Sequence, residues 1–227
     1  IESFARLFNI LSIPASQVIV QHFTLWIGFL GAVLAARQNK LLSLTHQPLF
    51  AKDEEFHFGK WVAKVITFIV LLILAWGSWD LVKVEMQYPI DIAPNISRWV
   101  AQLIMPFGFL LMAFQIYINS YANQKHRITL IILGLLFSLC AITGMAFDGL
   151  PILYVGLIAI FTSLFYGAPI VIGLGGLAII LFSTEYTPIS AIPAEAYRIV
   201  VSPTLPTIPL FTLAGYLLAE SNASERL

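Results

Sequence analysis

Long apolar runs follow one another along this chain so closely that no water-soluble core can form from them. Val18 to Ala36, Trp61 to Val82, Trp99 to Ile118 and Ile128 to Phe147 each approach the ~20 residues needed to cross the hydrocarbon layer of a bilayer. Two shorter runs follow, Ile152 to Tyr166 and Pro169 to Phe182, joined by the tight turn Gly167-Ala168-Pro169. Only 11% of residues are charged and 59% are hydrophobic, whereas soluble domains carry roughly 25% charged residues. Lipid is therefore the solvent, and a spanning backbone must satisfy its own hydrogen bonds. The expected fold is an all-α integral membrane protein with about six transmembrane helices.

The loops set an orientation. Arg37 to Lys60 holds Arg37, Lys40, Lys52 and Lys60, and Asn119 to Arg127 holds Lys125 and Arg127. Lys83 to Arg98 holds only its two terminal basic residues, and Asp148 to Pro151 holds none. The positive-inside rule places the first and third of these loops in the cytoplasm and the others outside. Trp61, Trp79 and Trp99 fall at span ends, where indole prefers the headgroup level, while Trp26 and Trp76 are expected to pack between helices. Gly28, Gly31 and Ala32, and Gly173 and Gly176, suit close helix contact. Thr187 to Val200 is too polar to span and reads as a short surface helix with Glu195 and Arg198 on its wet side. The chain opens at Ile1 and closes on polar Ser224 to Leu227, which reads as a piece of a longer protein.

Most functional classes find no support. Formal net charge is zero, so no basic field argues for nucleic acid. The single cysteine, Cys140, excludes an intrachain disulfide and a multi-cysteine metal site. No nucleophile elbow, zinc-protease motif or Walker loop occurs, and His22, His46, His57 and His126 have no metal-ligand spacing. Gln21 and His22 lie inside the first run, where a polar group is a functional candidate by default, but bonding to a neighbouring helix near the membrane surface is the favoured reading. Asp80, Glu85 and Asp91 fall at or beyond the outer end of the second span and read as solvated loop charges, and Gln102, Gln115 and Asn119 as snorkelling or capping groups. An intramembrane enzyme would need paired carboxylates, a Ser/His pair or metal ligands at depth, and only His22 is ionisable there.

One stretch departs from the spanning pattern. Ser202 to Gly215 is apolar enough for a bilayer yet carries Pro203, Pro206 and Pro209 with the hydroxyls of Ser202, Thr204, Thr207 and Thr212. Prolines inside a helix remove backbone hydrogen bonds. Broken backbone at membrane depth is tolerated where it lines a cavity, and transporters use such breaks to present dipole ends and carbonyls to substrates and ions. Composition leaves two forms open here, a C-terminal re-entrant helical hairpin or one proline-kinked transmembrane helix with small-residue packing.

Ser202, Ile208 to Phe211 (Ile-Pro-Leu-Phe) and Leu213 to Gly215 (Leu-Ala-Gly) resemble the first re-entrant hairpin of the large membrane subunit of tripartite ATP-independent periplasmic (TRAP) transporters. The family commonly has an acidic residue after that glycine, where this chain has Tyr216. Ile152 to Phe182, with its Gly-Ala-Pro turn, resembles that subunit's opening helix pair. Phe23 to Arg37 and Leu74 to Trp79 resemble helices of the small membrane subunit, although Gln17 and Gln21 stand where acidic residues are usual. The resemblance implies a fused arrangement: 1–127 small-subunit-like scaffold, 128–150 linking transmembrane helix, and 151–227 the start of the large-subunit-like transport domain. It implies sodium-driven uptake of small organic anions, typically carboxylates, across a bacterial-type inner membrane. The implied partners are an extracytoplasmic substrate-binding protein, the bilayer and the rest of the large permease subunit. In that reading Ser202, Thr204, Pro206, Thr207, Pro209 and Gly215 form half of a midplane site, with the sodium coupling ion near Ser202 and Thr207. The alternative is a non-transporting membrane scaffold or assembly subunit.

Overall fold

The computed structural model describes residues 16–43, 53–93, 96–119, 124–142, 150–202 and 207–220. The described elements are α1 (Ser16–Arg37), α2 (Asp53–Gln87), β1 (Asp91–Ala93), β2 (Ile96–Ser97), α3 (Arg98–Gln102) and α4 (Ile104–Ile118). They continue with α5 (Gln124–Ile142), α6 (Leu150–Phe165), α7 (Ile170–Thr184), α8 (Ala191–Val200) and α9 (Thr207–Glu220). All six apolar runs form helix over nearly all their described residues, the exceptions being Leu103, Tyr166 and Pro169. Three helices, Val18–Arg37, Gly59–Gln87 and Arg98–Ile118, are long and apolar enough to cross a membrane. The apolar stretches Ile128–Leu139, Leu153–Phe165 and Ile170–Thr184 are shorter. A 15-residue helix such as α7 is only about 22 Å long, short of the ~30 Å hydrocarbon core.

The long helix α2 is the hub. α4, α5, α6, α7 and α8 all pack against it, and 61% of its spanning window is buried, against 11% for α1. Its buried face carries Phe68, Leu71 and Leu74, which meet Met112 and Ile116 of α4, Leu130 of α5 and Ile172 of α7. Lipid tails are as apolar as leucine, so tight packing rather than escape from water holds these helices together. Polar groups on the buried face are satisfied locally. Thr67 and Ser78, each at most 2% exposed, donate to the carbonyls of Ala63 and Leu74 one turn back, both at 2.7 Å.

Breaks in the helices follow the prolines. A proline ring collides with the carbonyl four residues earlier. For Pro106 that carbonyl belongs to Gln102, and the regular helix is interrupted at Leu103 between α3 and α4, where the backbone keeps helical dihedrals and the span runs on. The sequence showed one run there. α2 ends at Gln87 just ahead of Tyr88-Pro89, as expected since the residue before proline disfavours helix. Asp80 and Glu85 thus lie on the helix, a correction to the reading of them as loop charges. The antiparallel ribbon β1–β2 closes the rest of that connection. Gly167, with φ of 90°, makes the turn between α6 and α7, a conformation that costs glycine nothing.

The glycine reading holds on one helix pair and fails on another. Cβ atoms built on Gly173 and Gly176 would lie 2.8 Å from Leu164 and 2.9 Å from Ile160 of α6, so α6 and α7 approach closely there. Among the described residues nothing lies within 4 Å of a Cβ built on Gly28 or Gly31. The contact on α1 is instead made by Phe29, which stands over Gly108 of α4 and meets the Phe109 ring edge-on at 5.1 Å.

Candidate functional site

Chain ends and turns gather in two separate layers. In the first, the Asn119 amide at the end of α4 donates to the carbonyls of Ala36 and Arg37 at 3.1 and 3.3 Å, capping α1. Lys64 donates to the Asn119 carbonyl at 3.0 Å. The turn after α6 joins the same segment, with Ile170 N donating to the Leu42 carbonyl at 2.9 Å. This layer collects the ends of both loops that the basic residues assign to the cytoplasm.

The second layer holds the polar cluster. His22 on α1 is 7% exposed and bonds through both ring nitrogens. Nδ1 lies 2.6 Å from the Val18 carbonyl and Nε2 2.6 Å from the Tyr197 hydroxyl of α8. A carbonyl only accepts, so Nδ1 donates to Val18, and in the neutral ring Nε2 then accepts from the phenol. Arg98 holds Glu85 with two bonds, Nε to Oε2 at 3.0 Å and Nη2 to Oε1 at 2.7 Å. Trp26 donates to the Ala101 carbonyl at 3.0 Å, packing between helices as the sequence reading expected. Burial pushes the Tyr197 phenol up to about 12, with Glu85 adding to the shift and Arg98 opposing it. Gln102 does not snorkel: it is 1% exposed, and its Oε1 has no hydrogen-bond partner among the described residues.

The helix α8 behaves as its sequence pattern predicts. Glu195 and Arg198 pair at 2.7 Å on the exposed side, while Pro193 and Tyr197, four apart, are buried on the other. Tyr197 meets Leu25 and Met105 in a small apolar cluster of its own. The sequence reading named His22 but not Tyr197; the spacing of Pro193 and Tyr197 opposite the charged pair was the available signal.

The expected hairpin residues fare differently. Ser202 follows α8 directly, half-buried, its N–H donating to the Ile199 carbonyl at 3.1 Å. Thr204 and Pro206 lie outside the described residues. Thr207 and Pro209 open α9, a single helical arm. Pro209 falls in the first turn, where no intrahelical N–H bond is lost. Among the described residues nothing lies within 4 Å of a Cβ built on Gly215, and Phe211 to Leu217 are all exposed. Among the described residues, no group of three or more His, Cys, Asp or Glu side chains is placed to hold a metal ion.

The family model described as tripartite ATP-independent periplasmic transporters, DctQ component, matches residues 1–126. The chain belongs to this family. No curated protein and no solved structure matches it. The DctQ match falls on the half where Gln17 and Gln21 depart from the usual motif, not on the half carrying the Ile-Pro-Leu-Phe run. Within the described residues, the DctQ region supplies α1 to α4, the hub helix and all of the polar cluster except Tyr197. The chain is thus a membrane component of a TRAP transporter.

Proposed function

We propose that this chain joins the DctQ-type scaffold of a TRAP transporter to the opening part of its transport domain. Transport would be sodium-driven uptake of small organic anions, carboxylates above all, received from an extracytoplasmic binding protein. The observation that carries this reading is the docking of α6, α7 and α8 directly on α2 of the DctQ region. A separate function for residues beyond 126 would not call for such an interface. The opening of α9 supports the ligand class. A helix N-terminus presents unpaired N–H groups and the positive end of the dipole, which favour a carboxylate. The hydroxyls of Ser202, Thr204 and Thr207 with the carbonyls near Pro206 and Pro209 are hard oxygen donors suited to sodium, and Gly215 leaves room for a returning arm.

The exposure of Phe211 to Leu217 favours a second reading, a scaffold that does not itself transport. One experiment separates the two. Full-length protein is reconstituted in proteoliposomes with its binding protein, and uptake of labelled carboxylates is followed under an inward sodium gradient. Uptake that needs sodium, with a sodium affinity weakened by Ser202→Ala and Thr207→Ala, supports the transporter reading. Unchanged sodium affinity removes those residues from the site, and absence of uptake for every anion favours the scaffold.

A further inference from the structure

An open groove of about 650 Å³ runs between α2, α4 and α5. Leu72, Trp76 and Trp79 of α2, Leu110 of α4, and Leu135 and Leu139 of α5 form its almost wholly apolar wall. Ser138 also lines it, but its hydroxyl already bonds the Leu135 carbonyl at 3.1 Å. The groove face of α2 continues past the tryptophans. Asp80 and Lys83 follow Trp76 and Trp79 by four residues each, which places them on the same side of the helix. Lys83 Nζ lies 2.8 Å from Asp80 Oδ1 and 5.1 Å from the centre of the Trp76 ring. These two charged side chains are 45% and 42% exposed, so both remain accessible at the groove's end.

The dimensions identify what fits. From Leu72 to Lys83 the helix rises about 16 Å, close to half of the ~30 Å hydrocarbon core. The groove thus covers one leaflet, ending in tryptophans and charges at the depth of the headgroups. A partner transmembrane helix would need a track along the whole span. A lipid tail needs only half of it.

We propose that this groove binds one phospholipid with a primary-ammonium headgroup of the ethanolamine type. An acyl chain lies along Leu72 to Trp79, the phosphate meets Lys83, and the headgroup ammonium donates to Asp80. The neighbouring cation and anion complement a zwitterion. A purely anionic headgroup would face the Asp80 carboxylate, and a choline group has no N–H to donate to it.

The test uses the full chain in nanodiscs of mixed phosphatidylethanolamine, phosphatidylglycerol and phosphatidylcholine. After exchange into detergent, retained lipids are quantified by mass spectrometry. Phosphatidylethanolamine is expected to be enriched several-fold over its bulk share. Leu110→Trp, which fills the groove, should reduce retention to background. Lys83→Ala should weaken retention of every phospholipid, and Asp80→Asn should keep the lipid but erase the headgroup preference. Asp80 and Lys83 lie on an exposed helix end, so these two variants are expected to fold, as checked by size exclusion. Enrichment of phosphatidylglycerol, unchanged retention in Leu110→Trp, or a photocross-link from position 110 to a protein helix instead of lipid would each overturn the proposal.

Discussion

His22 and Tyr197 stand 175 positions apart in the chain and 2.6 Å apart in space. Replacing Tyr197 with Phe removes the donor and leaves a buried imidazole nitrogen unpaired. Such a loss costs about 1–3 kcal/mol, and thermal unfolding in detergent should register it as a lower midpoint. The phenol also predicts a pH dependence. Its proton is held more tightly in the fold, at about 12, than at the ordinary value of 10.0. The unfolded chain therefore ionises first as pH rises, and stability should fall between these two values while remaining flat below them. Tyr197→Phe should abolish that slope. Glu85→Gln tests the other pair. The Glu85 side chain is 14% exposed and Arg98 29%, so stranding the guanidinium should cost less than the ~3–5 kcal/mol of a fully buried pair. Residue roles of this kind were only half legible in the sequence. A polar residue inside a span announces itself, as His22 does, but its partner is set by packing between distant segments.

Elements were more legible than their ends. Every apolar run forms a helix through most of its described residues because lipid leaves the backbone little alternative, whereas the boundaries depend on single residues. Pro106 interrupts the regular bonding of one span at Leu103 without ending it, and α2 continues helical until Tyr88-Pro89 because nothing earlier breaks it. The glycines show why spacing alone misleads. Small residues permit a close neighbour without supplying one, and α1 turns Gly28 and Gly31 away from α4. A contrast follows from this. Gly176→Leu must displace Ile160 and should cost about 1–3 kcal/mol by overpacking. Gly28→Ala meets nothing and should be neutral or stabilising by up to ~1 kcal/mol through helix propensity. Unfolding midpoints of the two variants, measured side by side, check it. Equal destabilisation would mean that α1 is covered in the membrane.

At the scale of the molecule, the two polar layers predict sidedness. Asn39→Cys and Glu195→Cys should react with a membrane-impermeant maleimide from opposite faces, the first only after the membrane is opened. Labelling of both in intact cells would contradict this arrangement. The division between layers was readable from a handful of basic loop residues. The place of α8 was not, because a helix with one wet face fits either surface until its buried tyrosine finds a partner.

The clasp made by Asn119 also bears on how the protein is assembled. α1 packs chiefly against α4 rather than against α2, and Asn119 closes that pairing at the carbonyls of Ala36 and Arg37. During synthesis α1 is made before α4, and its clasp comes from a residue made roughly 80 positions later. Until then α1 is closed only by its own turn, Asn39 N to the Ala36 carbonyl and Lys40 N to the Ala35 carbonyl, and has no helix partner at that end. Nascent chains released before residue 119 should therefore present α1 to membrane quality-control proteases, and chains released just after it should not.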